Sequence, residues 1–223
     1  MNSTEYTKLL NQVRTQFIAL SRTDPRYNDC LRMLEFAREV HQGVRKDGVT
    51  KEFYHQLSIT GLLLTQHRNL ENPHLVYQAA LGHDIGEDYP EKWSDLKASF
   101  PEVYPILVTL SKIRNGQLVP YAQYFAECAA CPVASVVKLI DRLHNLSTMV
   151  GVFKPEKMIS YVQDVDQWFL PMCKRARRAF PAQSDFYELT KSMLIDACHP
   201  LRHFLGMERK QVAELAGTSG PGA

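Results

Sequence analysis

Apolar residues recur along most of the chain at the three- and four-residue spacing of helices that bury one face. One such segment runs from Leu31 to Val40, and another runs from Leu57 to Leu64. Two more begin at Pro73 and Pro132, where proline suits the first turn of a helix. The stretches 161–178 and 184–205 also have amphipathic helical spacing. The pattern predicts a mostly helical chain.

Glycine, proline and asparagine gather at 46–50, 69–73, 89–91, 115–120, 151–155 and 180–183, which predicts breaks between helices there. The pattern indicates no hairpin and no repeat. We therefore expect one all-α domain over residues 1–216. The small residues of 217–223 predict a flexible tail.

The composition is that of an ordinary globular protein: 223 residues, of which 45% are hydrophobic and 22% are charged. No apolar run is long enough to cross a bilayer, and the polar start lacks a secretory signal, so we expect a cytoplasmic protein without a membrane partner. A net charge of +2 gives no argument for nucleic acid, and we interpret the basic run 174–178 as a solvated helix face. The oligomeric state is left open.

The cysteines also favour a reducing compartment, because there are five of them without a disulfide framework. Cys128 and Cys131 form a C-x-x-C pair, but no second pair stands at zinc-site spacing. We interpret both as structural thiols.

Candidate metal chemistry centres on the adjacent pair His83 and Asp84, in a predicted helix that ends near residues 86–90. Neighbouring helical residues point about 100° apart, so both side chains can reach one ion beside the helix. His55 and Asp141 are further candidates. Two imidazoles and two carboxylates form a ligand set that suits Mn²⁺ or Fe²⁺.

Glu87 and Asp88 follow that pair four residues later, so each acid is expected beside one candidate ligand. Considered by charge alone, Glu87 and Asp88 are interpreted as the solvated end of a helix. Acids and imidazoles packed this closely repel one another unless a cation or a proton lies among them.

Three segments carry a resemblance to a known family. Residues 41–48 read H-Q-G-V-R-K-D-G and lead to F-Y-H at 53–55, residues 79–88 read A-A-L-G-H-D-I-G-E-D, and residues 138–146 read K-L-I-D-R-L-H-N-L. In this order they resemble the H-x-G-x-x-R-K-x-G…Y-x-x-H-P, A-A-L-L-H-D-x-x-E-D and K-L-A-D-R-L-H-N-M motifs of RelA/SpoT hydrolase domains. The resemblance covers about residues 30–180, and the chain looks most like the small stand-alone alarmone hydrolases.

The resemblance implies an all-α HD-type bundle with a metal site in its core. It implies hydrolysis of the 3′-pyrophosphate of the alarmone (p)ppGpp to GDP or GTP and pyrophosphate, with one Mn²⁺ per chain and a guanine nucleotide as the small-molecule partner. Carried over by position, the implied metal ligands are His55, His83, Asp84 and Asp141. The acids that orient or deprotonate water are Glu87 and Asp88, and the substrate-binding residues are Arg45, Lys46, Lys112 and Asn145.

The chain departs from the family pattern at three places. One extra residue lies between Gly48 and His55, Gln56 replaces a proline, and Gly82 replaces a leucine. The insertion shifts the loop that carries Arg45 and Lys46 relative to the candidate metal ligands.

Four other features are interpreted structurally. His41 is predicted at a helix end or core edge, His144 as the partner of a carboxylate, and Arg142 in an ion pair that orients a ligand. Trp168 and Phe169 are predicted in the core.

Three alternatives stay open. The same chemistry could act on another nucleotide or on a pyrophosphorylated RNA 3′ end. The second alternative is a non-catalytic nucleotide binder or antitoxin-type partner. The presence of all the expected ligands and acids counts against it. The third is a di-iron oxygenase, which needs additional histidine ligands.

Overall fold

The structure, a computed structural model, describes residues 3–114 and 116–207. Its helices are α1 Ser3–Ser21, α2 Tyr27–Val40, α3 Tyr54–Thr65, α4 Pro73–Gly82, α5 Ile85–Asp88, α6 Trp93–Ser99, α7 Tyr104–Leu110, α8 Tyr121–Ala129, α9 Pro132–Thr148, α10 Pro155–Asp164, α11 Leu170–Ala179 and α12 Ser184–Phe204. The all-α prediction is confirmed. The single domain over 1–216 stays a prediction, and the predicted tail 217–223 lies outside the described residues.

Helix α9 lies at the centre of the bundle and packs against α3, α4, α7, α8, α11 and α12. It begins at Pro132, and the Cys131 sulfur accepts a hydrogen bond from the Ala134 amide at 3.4 Å, which satisfies one free donor of the first turn. Cys128 is buried. The contacts of this cysteine pair agree with a structural role.

The predicted helix over 161–178 is interrupted by a wide π turn at Val165–Phe169, between α10 and α11. Pro171 lacks an amide hydrogen and cannot continue the regular bonding pattern, which explains the wider turn. Phe169 is fully buried, as predicted, whereas Trp168 is only partly buried against Phe125.

The prediction of no hairpin was wrong. Two short strands, β1 Ile113–Arg114 and β2 Gln117–Leu118, pair antiparallel, with Ile113 opposite Leu118. Gly116 has φ of +75°, and the sequence pair Asn-Gly at 115–116 is a strong signal for such a turn. The alternation around it was too short to stand out.

The helix predicted through His83 and Asp84 is also interrupted, because α4 ends at Gly82 and α5 starts at Ile85. The Nδ1 atom of His83 lies 2.9 Å from the carbonyl oxygen of Ala80, an acceptor that a continuous helix would offer to a backbone amide. The two residues therefore lie in a turn. This places Asp84 at the edge of a cavity, with His83 buried beside it.

The loop between α2 and α3 is ordered by its own hydrogen bonds. Val44 bridges Lys51, and the Arg45 amide donates to the Thr50 carbonyl at 2.8 Å. Asp47 accepts from the amide of Thr50 at 2.8 Å and from its hydroxyl at 2.5 Å. Among the described helices, none is long and apolar enough to cross a membrane.

Candidate active site

The four predicted metal ligands converge although they come from different parts of the chain. His55 lies in the first turn of α3, His83 and Asp84 lie between α4 and α5, and Asp141 lies in α9. The Nε2 atom of His55 is 3.2 Å from Asp141 Oδ1, and that of His83 is 3.1 Å from Asp84 Oδ2. The cross distances are 3.7 Å from His55 to Asp84 and 3.8 Å from His83 to Asp141.

This cluster offers donor atoms that fit a divalent cation. Ligand atoms of His55, His83 and Asp84 all lie within 4.8 Å of one another, and Asp141 Oδ1 adjoins both imidazoles. The Nε2 atom of His83 is buried and has no hydrogen-bond partner among the described residues, although Asp84 is near. A mixed nitrogen and oxygen set of this kind suits Mn²⁺ or Fe²⁺.

Both imidazoles are oriented through their other nitrogen. His83 Nδ1 donates a hydrogen bond to the Ala80 carbonyl oxygen, which leaves Nε2 free to bind a metal ion. His55 Nδ1 lies 2.8 Å from His144 Nδ1, so one of these nitrogens donates to the other. Burial, together with His55 and Arg45, lowers the pKa of His144 to about 3, which keeps His144 neutral. The prediction of a carboxylate partner for His144 was therefore wrong: its partner is the imidazole of His55.

Asp141 is held by two neighbours on its own helix. Lys138 Nζ donates to its Oδ2 at 2.8 Å, and Asn145 Nδ2 donates to its Oδ1 at 2.6 Å. Arg45 Nη2 in turn reaches Asn145 Oδ1 at 3.5 Å. Arg142 forms the predicted ion pair, with Asp164 at 3.2 Å, so it does not contact a candidate ligand.

The carboxylates of Asp84 and Asp141 favour a positive charge close to them. Burial opposes charge on Asp141, but Lys138 and both imidazoles hold the pKa of this carboxyl well below its usual value. Burial likewise lowers the pKa of His83, yet the charges of Asp84 and Asp141 outweigh it and raise that pKa to about 10. The carboxylates of Asp84 and Asp141 thus favour a positive charge at this site, from a proton on His83 or from a bound cation.

Glu87 and Asp88 enter the same cavity from α5. Glu87 Oε1 accepts a hydrogen bond from the Lys112 backbone amide at 2.5 Å, which fixes this carboxylate in place. Asp88 is exposed at the cavity rim, yet partial burial of its carboxylate and the charges of Asp84, Glu52 and Glu87 raise its pKa to about 6.

The cavity has a volume of about 660 Å³, within the ~300–1,000 Å³ typical of small-molecule sites. Nine of the ten predicted site residues line it, and the tenth, His83, is buried immediately behind Asp84. The cationic lining residues are Arg45, Lys46, Lys112 and Lys138. A nearby Lys138 ammonium, followed by burial, lowers the pKa of Lys112.

The sequence interpretation missed Glu52 and Tyr89, which also line the cavity. The Tyr89 hydroxyl donates to Glu52 Oε2 at 2.7 Å, and this bond connects the α2–α3 loop to the end of α5. His41, buried at the end of α2 as predicted, lies 3.4 Å from Glu52 Oε1 through Nδ1. Neither missed residue belongs to a recognisable motif, so only their contacts reveal them.

An all-α bundle whose adjacent histidine and aspartate meet a second histidine and aspartate in one cavity defines an HD-type candidate metal site. No protein-family model matches the chain. Curated relatives include a GTP pyrophosphokinase of Streptomyces coelicolor, which is 29% identical over 156 residues, 65% of this chain and 18% of that protein. A probable guanosine-3′,5′-bis(diphosphate) 3′-pyrophosphohydrolase of Synechocystis is 27% identical over 149 residues, with 63% of this chain and 19% of that protein covered.

The bifunctional (p)ppGpp synthase/hydrolase SpoT of Escherichia coli is 24% identical over 148 residues, 62% of this chain and 20% of that protein. The chain thus spans about a fifth of the length of these relatives. The resemblance to the RelA/SpoT family is confirmed by them. Their names describe enzymes that act on guanosine nucleotides.

Proposed function

We propose that this protein is a divalent-metal-dependent phosphohydrolase that removes the 3′-pyrophosphate of (p)ppGpp, yielding GDP or GTP and pyrophosphate. One observation carries the proposal. Two imidazoles and two carboxylates meet at a cavity that also contains Glu87 and Asp88. A hydrogen bond from the Lys112 amide holds the Glu87 carboxylate in place, and the pKa of Asp88 is raised to about 6. The guanine and the 3′ position come from the likeness to the named relatives.

The residues that would hold one Mn²⁺-like ion are His55, His83, Asp84 and Asp141. A bound divalent ion would polarise a phosphoryl oxygen and make a water molecule easier to deprotonate. Lys138 and Asn145 keep the Asp141 carboxylate oriented toward the site.

In this mechanism, the two acids orient the attacking water and accept its proton, and the cationic side chains stabilise the negative charge that develops on the phosphoryl group. Glu87 accepts from the Lys112 amide and orients the attacking water with its other oxygen. Asp88, with a pKa of about 6, accepts the proton of that water near neutral pH. The water oxygen bonds to phosphorus, the bond from phosphorus to the 3′-oxygen breaks, and the proton taken by Asp88 passes to the 3′-oxygen, so that pyrophosphate and GDP or GTP are released. Arg45 and Lys112 offset the negative charge that develops.

The test is to incubate the purified protein with Mn²⁺ and ppGpp labelled in the 3′-pyrophosphate, and to separate the products. We expect labelled pyrophosphate and GDP, loss of turnover with a chelator, and recovery with added Mn²⁺. Glu87→Gln should retain the metal while turnover falls on the order of a hundredfold.

GTP is the matched control substrate, because it has no phosphoryl group on the 3′ side. Equal kcat/KM for GTP and ppGpp would leave a metal phosphohydrolase but remove the alarmone as its substrate. No turnover of either nucleotide, at full metal occupancy, would refute the proposed hydrolase.

A further inference from the structure

Gln56 is a buried polar residue beside the candidate metal ligands. It follows His55 in the first turn of α3, is only 1% exposed and lines the cavity. Its amide nitrogen donates a hydrogen bond to Asp84 Oδ2 at 3.3 Å. The same oxygen lies 3.1 Å from His83 Nε2 and 3.7 Å from His55 Nε2. Gln56 therefore belongs to the candidate metal cluster by contact, although the motif that this segment resembles has proline at its position.

The amide oxygen of Gln56 has no such contact. Gln56 Oε1 is buried and accepts no hydrogen bond from the described residues. An ionised carboxylate accepts hydrogen bonds and does not donate them, so the amide nitrogen must face Asp84 and the oxygen must point elsewhere. A buried acceptor without a donor is unfavourable. This geometry therefore favours a hydrogen-bond donor that enters the cavity from outside the protein.

A water molecule on a bound cation is a donor of this kind. The four candidate ligands are fewer than the about six positions of an octahedral Mn²⁺-like ion, so water can fill the open positions. Binding to a cation also makes water a stronger hydrogen-bond donor. Glu87 and Asp88 present their acceptors from α5, whereas Gln56 presents its acceptor from α3. Gln56 is therefore placed to serve a different water molecule from the one that the two acids orient.

We propose that Gln56 is a positioning residue of the metal site, whose amide nitrogen holds Asp84 and whose amide oxygen accepts a hydrogen bond from a second, non-attacking water molecule on the ion. This inference rests on the proposed function, because it requires a cation at the candidate ligands. It adds a neutral side chain to a site that otherwise consists of imidazoles and acids.

The first experiment measures Mn²⁺ affinity without substrate, from the electron paramagnetic resonance signal of the free ion. Gln56→Met keeps the length of the side chain and removes both polar atoms of the amide. Its Mn²⁺ affinity should fall about tenfold or more, because residues that orient metal ligands contribute on the order of ten- to a hundredfold to affinity. Gln56→Glu retains an oxygen acceptor and should recover most of the affinity. An affinity in Gln56→Glu as low as that in Gln56→Met would overturn the role of the oxygen.

The matched control is Gln78→Met, which removes another buried glutamine amide. Gln78 lies in α4 and its amide nitrogen donates to the His74 carbonyl at 3.3 Å, so its contact is with the backbone and not with a candidate ligand. Gln78→Met should retain the Mn²⁺ affinity of the parent. Equal Mn²⁺ affinity in the parent and in Gln56→Met would overturn the inference.

Thermal unfolding separates this role from a purely structural one. A structural role predicts that Gln56→Met loses the same stability in the metal-free and the Mn²⁺-loaded protein. The proposed role predicts a larger loss in the Mn²⁺-loaded protein, because only there does the amide oxygen have its partner. Equal losses in both states would overturn the inference.

A crystal structure of the Mn²⁺-loaded parent tests the contact directly. The amide oxygen of Gln56 should lie about 2.5–3.0 Å from a water molecule on the ion. An amide oxygen that binds the ion itself, or that contacts no metal-bound water, would overturn the inference.

Hydrolysis of ppGpp by the same preparations distinguishes this inference from the proposed function. Parent-like Mn²⁺ affinity in Gln56→Met, with hydrolysis by the parent, would overturn the role of Gln56 while the hydrolase stands. Lower Mn²⁺ affinity in Gln56→Met, without any hydrolysis by the parent, would support the role of Gln56 and refute the hydrolase. A parent that binds no Mn²⁺ would overturn both.

Discussion

Replacing Gly86 with alanine should damage both the fold and the candidate chemistry. Gly86 is buried in α5, between Asp84 and Glu87. An added Cβ would lie 2.0 Å from Cζ2 of Trp93 and 2.6 Å from its Cε2 and Cη2 atoms. Real contacts of this kind stay above 3.0 Å, so the indole or α5 must move by at least about 1 Å. Trp93 in turn packs edge-on against Tyr104 with centroids 5.4 Å apart, which limits its escape.

Overpacking of a buried contact lowers the free energy of unfolding by about 1–3 kcal/mol, and we expect a loss of this size in Gly86→Ala. For a domain of this length, that corresponds to a fall in Tm of roughly 2–12 °C. A shift of α5 by about 1 Å would also displace Glu87 and Asp88, and misplacement on this scale costs on the order of a hundredfold in turnover.

Thermal unfolding and ppGpp turnover, measured on the same preparation, check both effects. The matched control is Gly61→Ala in α3, where the new Cβ would meet only Leu9 Cδ1 at 3.4 Å, an ordinary contact. That substitution should be neutral or stabilise the protein by about 0.4–1 kcal/mol. In the Gly86→Ala background, Trp93→Leu should recover part of the lost turnover. Parent-like stability and turnover in Gly86→Ala would refute the reasoning.

Three further outcomes are expected. Mn²⁺ at about a hundred times its Kd should raise the free energy of unfolding of the parent by about 2.7 kcal/mol. Asp141→Asn should lose most of this stabilisation, and an undiminished stabilisation would remove Asp141 from the ligand set. Tyr89→Phe removes the hydrogen bond to Glu52, so kcat/KM for ppGpp should fall by up to about tenfold while Mn²⁺ binding persists. An unchanged kcat/KM would show that this hydrogen bond does not position the site. Lys157 lies in the first turn of α10, where Lys46 and burial lower its pKa to about 8, so it loses its positive charge as pH rises through that value. We expect kcat/KM for ppGpp to fall between pH 7 and 9 more in the parent than in Lys157→Arg, and equal profiles would show that the charge of Lys157 does not contribute to turnover.

The helices were predictable because their signals are local. Prolines mark the first turns of α4 and α9, and the apolar spacing of α9 reflects its burial on most sides. The candidate ligands were identified from short motifs and from the resemblance that these motifs carry, although His83 and Asp84 lie in a turn and not in the predicted helix. The sequence could not predict that His55, His83 and Asp141 converge, because their convergence depends on how α3, α4 and α9 pack.

Side-chain competition explains where local reasoning failed. The turn at His83 arises because its imidazole contacts a carbonyl that a helix would use, and helical periodicity carries no sign of this contact. The pairing of His55 with His144 joins residues 89 positions apart. The bond between Glu52 and Tyr89 likewise joins two helix ends that only the fold brings together. Contacts of this range leave no pattern in a single sequence.

The acids at the cavity rim bear on whether the protein hydrolyses its ligand or only holds it. Asp88 lies near Asp84, Glu52 and Glu87, and this excess of negative charge repels a phosphate group. A protein that only sequestered an anionic nucleotide would bind it more tightly without Asp88, so this carboxylate is favoured only if it acts on water. We therefore expect Asp88→Asn to bind inorganic pyrophosphate, a product of the proposed reaction, several times more tightly, while turnover of ppGpp falls on the order of a hundredfold. Inhibition by pyrophosphate and steady-state rates measure the two effects. Weaker pyrophosphate binding with unchanged turnover would instead assign Asp88 to ligand binding and favour the sequestering alternative.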